Sequence, residues 1–104
     1  MEVKTILLVC SAGMSTSLLV TKMEEAAEDR NLEAKIYAVS EAEAPDNIGK
    51  IDVLLLGPQV KFLENKFKKK LEPLGKPVAV INSIDYGMMD GEKVLNQALT
   101  LLGE

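Results

Sequence analysis

Four short apolar runs, at residues 5–9, 34–39, 53–56 and 78–81, are separated by stretches whose apolar residues recur at helical spacing, and this alternation leaves few folds open. Returning from one strand through a helix to the next strand of the same sheet makes the strands parallel and lays helices on both faces. Leu7, Leu8 and Val9, like residues 53–56, are apolar without alternation, as suits central strands covered on both sides. Glu33, Lys35 and Tyr37 instead alternate with Ala34, Ile36 and Ala38, the half-exposed pattern of an edge strand. The predicted fold is therefore α/β, a three-layer αβα sandwich with a four-stranded parallel sheet of order 2-1-3-4. At 104 residues the chain is read as one domain, 1–104, large enough for a single core. In this order the topological switch lies between strands one and three, and ligands bind beyond the carboxyl ends of the strands there.

The first helix is predicted over residues 17–30, with Leu18, Leu19, Met23, Ala26 and Ala27 inward, Ser15, Thr16 or Ser17 as N-cap and Asn31 as stop. A short helix is expected around residues 41–48, weakened by Pro45. A third begins after Gly57, Pro58 and Gln59 and turns Val60, Leu63, Phe67 and Leu71 inward, and a last one covers residues 91–102. Lys66, Lys68, Lys69 and Lys70 then fall on a solvated outer face, and the net charge of −4 argues against nucleic acid as a partner. No apolar run approaches the ~20 residues that span a bilayer, and the start of the chain lacks the pattern of a signal peptide. A cytoplasmic location is expected. The acidic balance, with no evident apolar seam, makes a monomer the expected state.

The single cysteine, Cys10, closes the first apolar run at the switch and opens the stretch Ser11, Ala12, Gly13, Met14, Ser15, Thr16, Ser17. Free cysteines mostly serve as small buried apolar residues. Position argues for more, because a strand end leading into a helix presents backbone N–H groups and a dipole that favour an anion. Gly13 can let N–H groups converge on an anion or be an ordinary turn glycine, and the hydroxyls of Ser11, Ser15, Thr16 and Ser17 can each donate to a phosphate oxygen or merely cap the helix. Met14 reads as a local apolar plug.

Several chemistries drop out. One cysteine forms no internal disulfide, and with no histidine no transition-metal site of the usual ligand types is expected. A nucleotide P-loop needs a lysine that does not follow Gly13. Two Tyr, two Phe and no Trp leave little to stack on a flavin, so no cofactor is expected. A cysteine-dependent phosphatase uses C-x5-R, whose arginine clamps the transferring phosphoryl group. Thr16 occupies that position. The stretch from Cys10 to Ser17 holds no charge, so a cysteinyl phosphate would be held by N–H groups, hydroxyls and the helix dipole, and hydrolysis would lack its arginine.

The stretch from Cys10 to Ser17, supported by Leu55, Leu56, Gly57, Pro58 and Gln59 after strand three and by Tyr86, Gly87, Asp90 and Gly91 after strand four, resembles the enzyme IIB components of the bacterial phosphoenolpyruvate-dependent sugar phosphotransferase system (PTS), of the lactose, cellobiose and chitobiose group. The resemblance runs along essentially the whole chain. It implies a phosphotransferase in which Cys10 accepts a phosphoryl group from a phosphohistidine of enzyme IIA and passes it to a sugar of the β-glucoside or disaccharide class, bound by the membrane enzyme IIC at the inner face of the cell membrane. It also implies a fold similar to low-molecular-weight tyrosine phosphatases. The alternative is a cysteine-dependent hydrolase of that phosphatase type. Gln59 and Tyr86 lie in loops expected to approach Cys10, where they either support the site around it or are ordinary loop residues. Asp85 is read as a solvated turn aspartate, and Met88 and Met89 as core residues or a docking patch.

Overall fold

The computed structural model describes residues 3–10 and 13–103, with the side chains of residues 13–16 excepted. In chain order it contains β1 (Lys4–Cys10), α1 (Gly13–Asp29), β2 (Ala34–Ser40), β3 (Val53–Leu56), α2 (Glu64–Leu71), β4 (Val78–Val80), α3 (Ser83–Gly87) and α4 (Gly91–Leu101). Three 3-10 segments, Ala44–Lys50, Pro58–Leu63 and Glu72–Leu74, join them. The sheet order is β2-β1-β3-β4, with every pair parallel, as the apolar patterning predicts. Val9 stands opposite Val39 on one side and Leu56 on the other, and Cys10 opposite Ser40.

Strand alternation divides the core into two layers. Ile6 and Leu8 of β1 face Leu19, Met23, Ala26 and Ala27 of α1 and Val94, Leu95 and Ala98 of α4. Leu7 and Val9 face the opposite layer, built from Ala44, Ile51, Val60, Leu63, Phe67 and Leu71. The inward residues of α2 and the segment before it match the sequence expectation. Leu18 departs from it: the buried positions 19, 23, 26 and 27 trace one stripe, and Leu18, one residue off that stripe, is half exposed. Lys66, Lys69 and Lys70 are exposed, with Lys66 paired to Glu41 at 3.0 Å and Lys68 to Glu64 at 3.1 Å.

Local chemistry sets the ends. Asn31 adopts a left-handed φ of 53°, and the Leu32 N–H returns to the Ala27 carbonyl at 2.9 Å, closing α1 where the sequence predicts. The start of α1 is earlier than predicted: it begins at Gly13, so Ser15, Thr16 and Ser17 lie within the helix rather than capping it. Between residues 41 and 48 the expected helix is replaced by a 3-10 segment beginning at Ala44, since Pro45 is tolerated only in a first turn. The helix expected after Gly57 opens as 3-10 turns bent at Val60 (φ −120°, ψ 26°) before continuing as α2. Among the described residues no helix is long and apolar enough to cross a membrane.

The layer of α1 and α4 depends on one close approach. A Cβ at Gly91 would run into the Lys22 carbonyl carbon and fall 2.5 Å from the Met23 nitrogen. Backbone cannot swing aside as a side-chain tip can. Gly91→Ala is expected to force the two helices apart and to lose about 1–3 kcal/mol. Gly49→Ala, where a Cβ meets nothing within 4 Å, is expected to stay within about 0.5 kcal/mol of wild type. Urea midpoints at constant m-value check both, and equal midpoints for the two variants would refute the close-packing account.

Candidate functional site

The carboxyl ends of β1, β3 and β4 open onto one end of the sheet, where the crossover direction changes between β1 and β3. Cys10 is the last residue of β1 and is fully buried. By alternation from Ile6 and Leu8, its side chain points to the layer that contains α1. Only residues 11 and 12 separate it from Gly13, the first residue of α1. The strand-to-helix turn is thus shorter than the sequence suggests, and Gly13 opens a helix whose first N–H groups have no intrahelical partner. The expectations for Ser11 and Ala12 lie outside the described residues, as do those for the side chains of Gly13, Met14, Ser15 and Thr16. Ser17 is exposed, and its carbonyl accepts from the Thr21 hydroxyl at 3.2 Å.

The loop after β3 is tied directly to β1. The Gly57 N–H donates to the Val9 carbonyl at 2.9 Å, and a Cβ at Gly57 would lie 2.6 Å from Gln59 Oε1 and 3.5 Å from the Val9 carbonyl oxygen. Glycine therefore lets the Gln59 side chain fold back toward the end of β1. From the other side comes the segment after β4. Gln97 of α4 donates from Nε2 to the Val80 carbonyl at 2.8 Å and accepts from the Asn82 N–H at 3.3 Å. Asn82 in turn caps α3, its Oδ1 accepting from the Ile84 and Asp85 N–H groups at 2.9 and 3.2 Å. The half-buried Tyr86 of α3 is thereby presented to the mouth, where its hydroxyl accepts from Gln59 Nε2 at 3.0 Å.

The structure thus joins Gln59 and Tyr86, which sequence reasoning placed at the same face separately. Asp85 lies in α3 and is partly buried, its carbonyl accepting from the Asp90 N–H at 2.9 Å. The two methionines part company: Met88 is 73% exposed, whereas Met89, with a left-handed φ of 54°, packs against the core. Asn82 and Gln97 escape sequence reasoning as supports of this face. The pattern Asn82, Ser83, Ile84, Asp85 carries a cap signal, but nothing in the periodicity of α4 marks Gln97.

This arrangement can hold an anion beyond the end of β1, with the start of α1 on one side and polar side chains after β3 and β4 on the other. The family described as "PTS system, Lactose/Cellobiose specific IIB subunit" matches residues 5–97. Over 99 residues the chain is 48% identical to the PTS system oligo-beta-mannoside-specific EIIB component of Bacillus subtilis, covering 95% of this chain and 96% of that protein. It is 49% identical over 104 residues to the cellobiose-specific EIIB component of Lactococcus lactis, with the same shares covered. Its fold is similar to the solution structure of the cellobiose-specific phosphotransferase IIB component from Borrelia burgdorferi, with a TM-score of 0.81 and 42% identity, covering 98% of this chain and 94% of that one. The lactose-specific IIB domain from Streptococcus pneumoniae shares the fold, with a TM-score of 0.86 at 20% identity, covering 95% of this chain and 97% of that one.

Proposed function

The chain belongs to the lactose/cellobiose-specific IIB subunits of the sugar phosphotransferase system, and from that premise we propose that it carries a phosphoryl group on Cys10 between enzyme IIA and a sugar held by the membrane enzyme IIC. The observation that carries this reading is the position of Cys10 at the end of a central strand, at the switch of the sheet, with two residues between it and a helix. The sulfur attacks the phosphorus of a phosphohistidine on enzyme IIA. An S–P bond forms as the N–P bond breaks, and the imidazole nitrogen leaves with the bonding electrons while the thiol proton is lost to solvent or base. In the second step a sugar hydroxyl attacks the same phosphorus, the S–P bond breaks, and Cys10 leaves as thiolate.

The opening N–H groups of α1 and its dipole favour the phosphoryl charge at this position. No metal or nucleotide takes part in either step. The proposed sugar class is a β-glucoside or related disaccharide, supported by the cellobiose-specific relative. The protein acts as a single domain and a monomer at the inner face of the cell membrane, through enzyme IIC.

Incubation with phosphoenolpyruvate, the general phosphotransfer proteins and candidate enzyme IIA components is expected to add one phosphoryl group to the intact mass. Mapping should place it on Cys10, and a label on another residue would overturn the assignment.

A further inference from the structure

We propose that Gln59 contacts the phosphoryl group carried on Cys10 and that Tyr86 is the positioning residue that aims it; this rests on the phosphocysteine reading above. The two residues stand 27 positions apart, one just after β3 and the other after β4, and they meet across the mouth through the 3.0 Å bond from Gln59 Nε2 to the Tyr86 hydroxyl. A surface glutamine ordinarily samples many rotamers, and fixing one costs entropy. Here the amide nitrogen is bonded and the amide oxygen lies close to Gly57. Its Oε1 occupies space beside Gly57, 2.6 Å from where a Cβ would stand, and that same point is 3.5 Å from the carbonyl of Val9, the residue before Cys10. Its nitrogen is held by a hydroxyl whose helix is fixed through Asn82 and Gln97 to the end of β4.

A primary amide has two N–H donors, and Tyr86 takes one. The second is the group offered to a phosphoryl oxygen. Hydrogen bonds to a charged acceptor are stronger than neutral ones, and an uncharged donor adds to the cradle without the clamp that assists hydrolysis in C-x5-R enzymes. A role as a mere strut between two loops predicts a different response to substitution. Gln59→Glu is nearly isosteric and accepts a hydrogen bond from the Tyr86 hydroxyl, so it preserves a strut. It also sets a carboxylate against the phosphoryl oxygens, where like charges repel.

The test measures phosphoryl transfer onto this chain from enzyme IIA, kept phosphorylated by phosphoenolpyruvate and the general phosphotransfer proteins, with kcat and KM for the donor separated by titration. Gln59→Leu is expected to lower kcat about tenfold, the equivalent of one hydrogen bond to a charged group, with KM for the donor changed less than about threefold. Tyr86→Phe, which loses only the hydroxyl, is expected to lower kcat about threefold. The double variant should be no slower than Gln59→Leu, since Tyr86 acts only through Gln59. Gln59→Glu should be slower than Gln59→Leu, with unchanged urea midpoints throughout. Wild-type kcat in Gln59→Glu, or an unaffected Gln59→Leu, would overturn the inference while leaving the phosphocysteine in place. Failure of the wild-type chain to gain any phosphoryl group on Cys10 would instead remove the reading on which it rests.

Discussion

Cys10→Ser is expected to take up no phosphoryl group from phosphorylated enzyme IIA, under conditions that convert the wild-type chain. A neutral hydroxyl is a far weaker nucleophile than a thiol, and activating it takes an adjacent base. None of the residues given a place at this mouth, Gln59, Tyr86 and Asn82, is such a base. The control must separate chemistry from folding, because Cys10 is fully buried. A hydroxyl is more polar than the thiol it replaces, so the variant is expected to lose some stability while remaining folded. Cys10→Ala introduces no hydroxyl, and a small apolar side chain is what the packing interpretation of this cysteine requires. Both variants should give a cooperative urea transition and the wild-type far-UV spectrum, and both should be inert as acceptors. Uptake by either at the wild-type rate would return Cys10 to a packing role and move the chemistry to another residue.

The fold was legible because its strands differ in kind. The unbroken apolar runs of β1 and β3 can be buried only between two helical layers, whereas Lys35 and Tyr37 in β2 tolerate solvent, and those contrasts suffice to order the sheet. The start of α1 was harder to read. Glycine, serine and threonine have weak intrinsic helix preference and favour caps and turns, so residues 13–17 look like a loop, while the tertiary structure carries the helix through them. The five-residue α3 is too short to show a period at all. Gln59 and Tyr86 illustrate a second limit. Topology alone puts both at the carboxyl end of the sheet, yet their bond depends on how α4 holds the end of β4 through Gln97, a long-range fit that no local pattern encodes.

The phosphorylated protein, purified away from its partners, is expected to lose phosphate slowly and to lose it rapidly to membranes containing the matching enzyme IIC and sugar. Thr16 stands where a C-x5-R phosphatase carries the arginine that stabilises the transferring phosphoryl group. Removing a single preorganised donor from a transition state typically costs about 10²–10³ in rate, and a charged, two-pronged arginine clamp contributes more than a neutral donor. Backbone N–H groups and an amide such as Gln59 can hold the ground-state phosphoryl group, but they are poor replacements for a cation that follows charge onto the leaving and attacking atoms. A sugar hydroxyl presented by the membrane partner escapes this handicap, because orientation within a complex supplies much of the barrier reduction that free water must do without. The same reasoning predicts little turnover of aryl phosphates by the wild-type chain, and a measurable gain in hydrolysis on Thr16→Arg where the longer side chain reaches the phosphoryl group. Timed loss of the phosphoryl mass with and without membranes, beside an aryl phosphate assay of wild type, Thr16→Arg and Cys10→Ser, decides the matter. Sustained Cys10-dependent aryl phosphate hydrolysis by the wild-type protein would make it a hydrolase rather than a carrier.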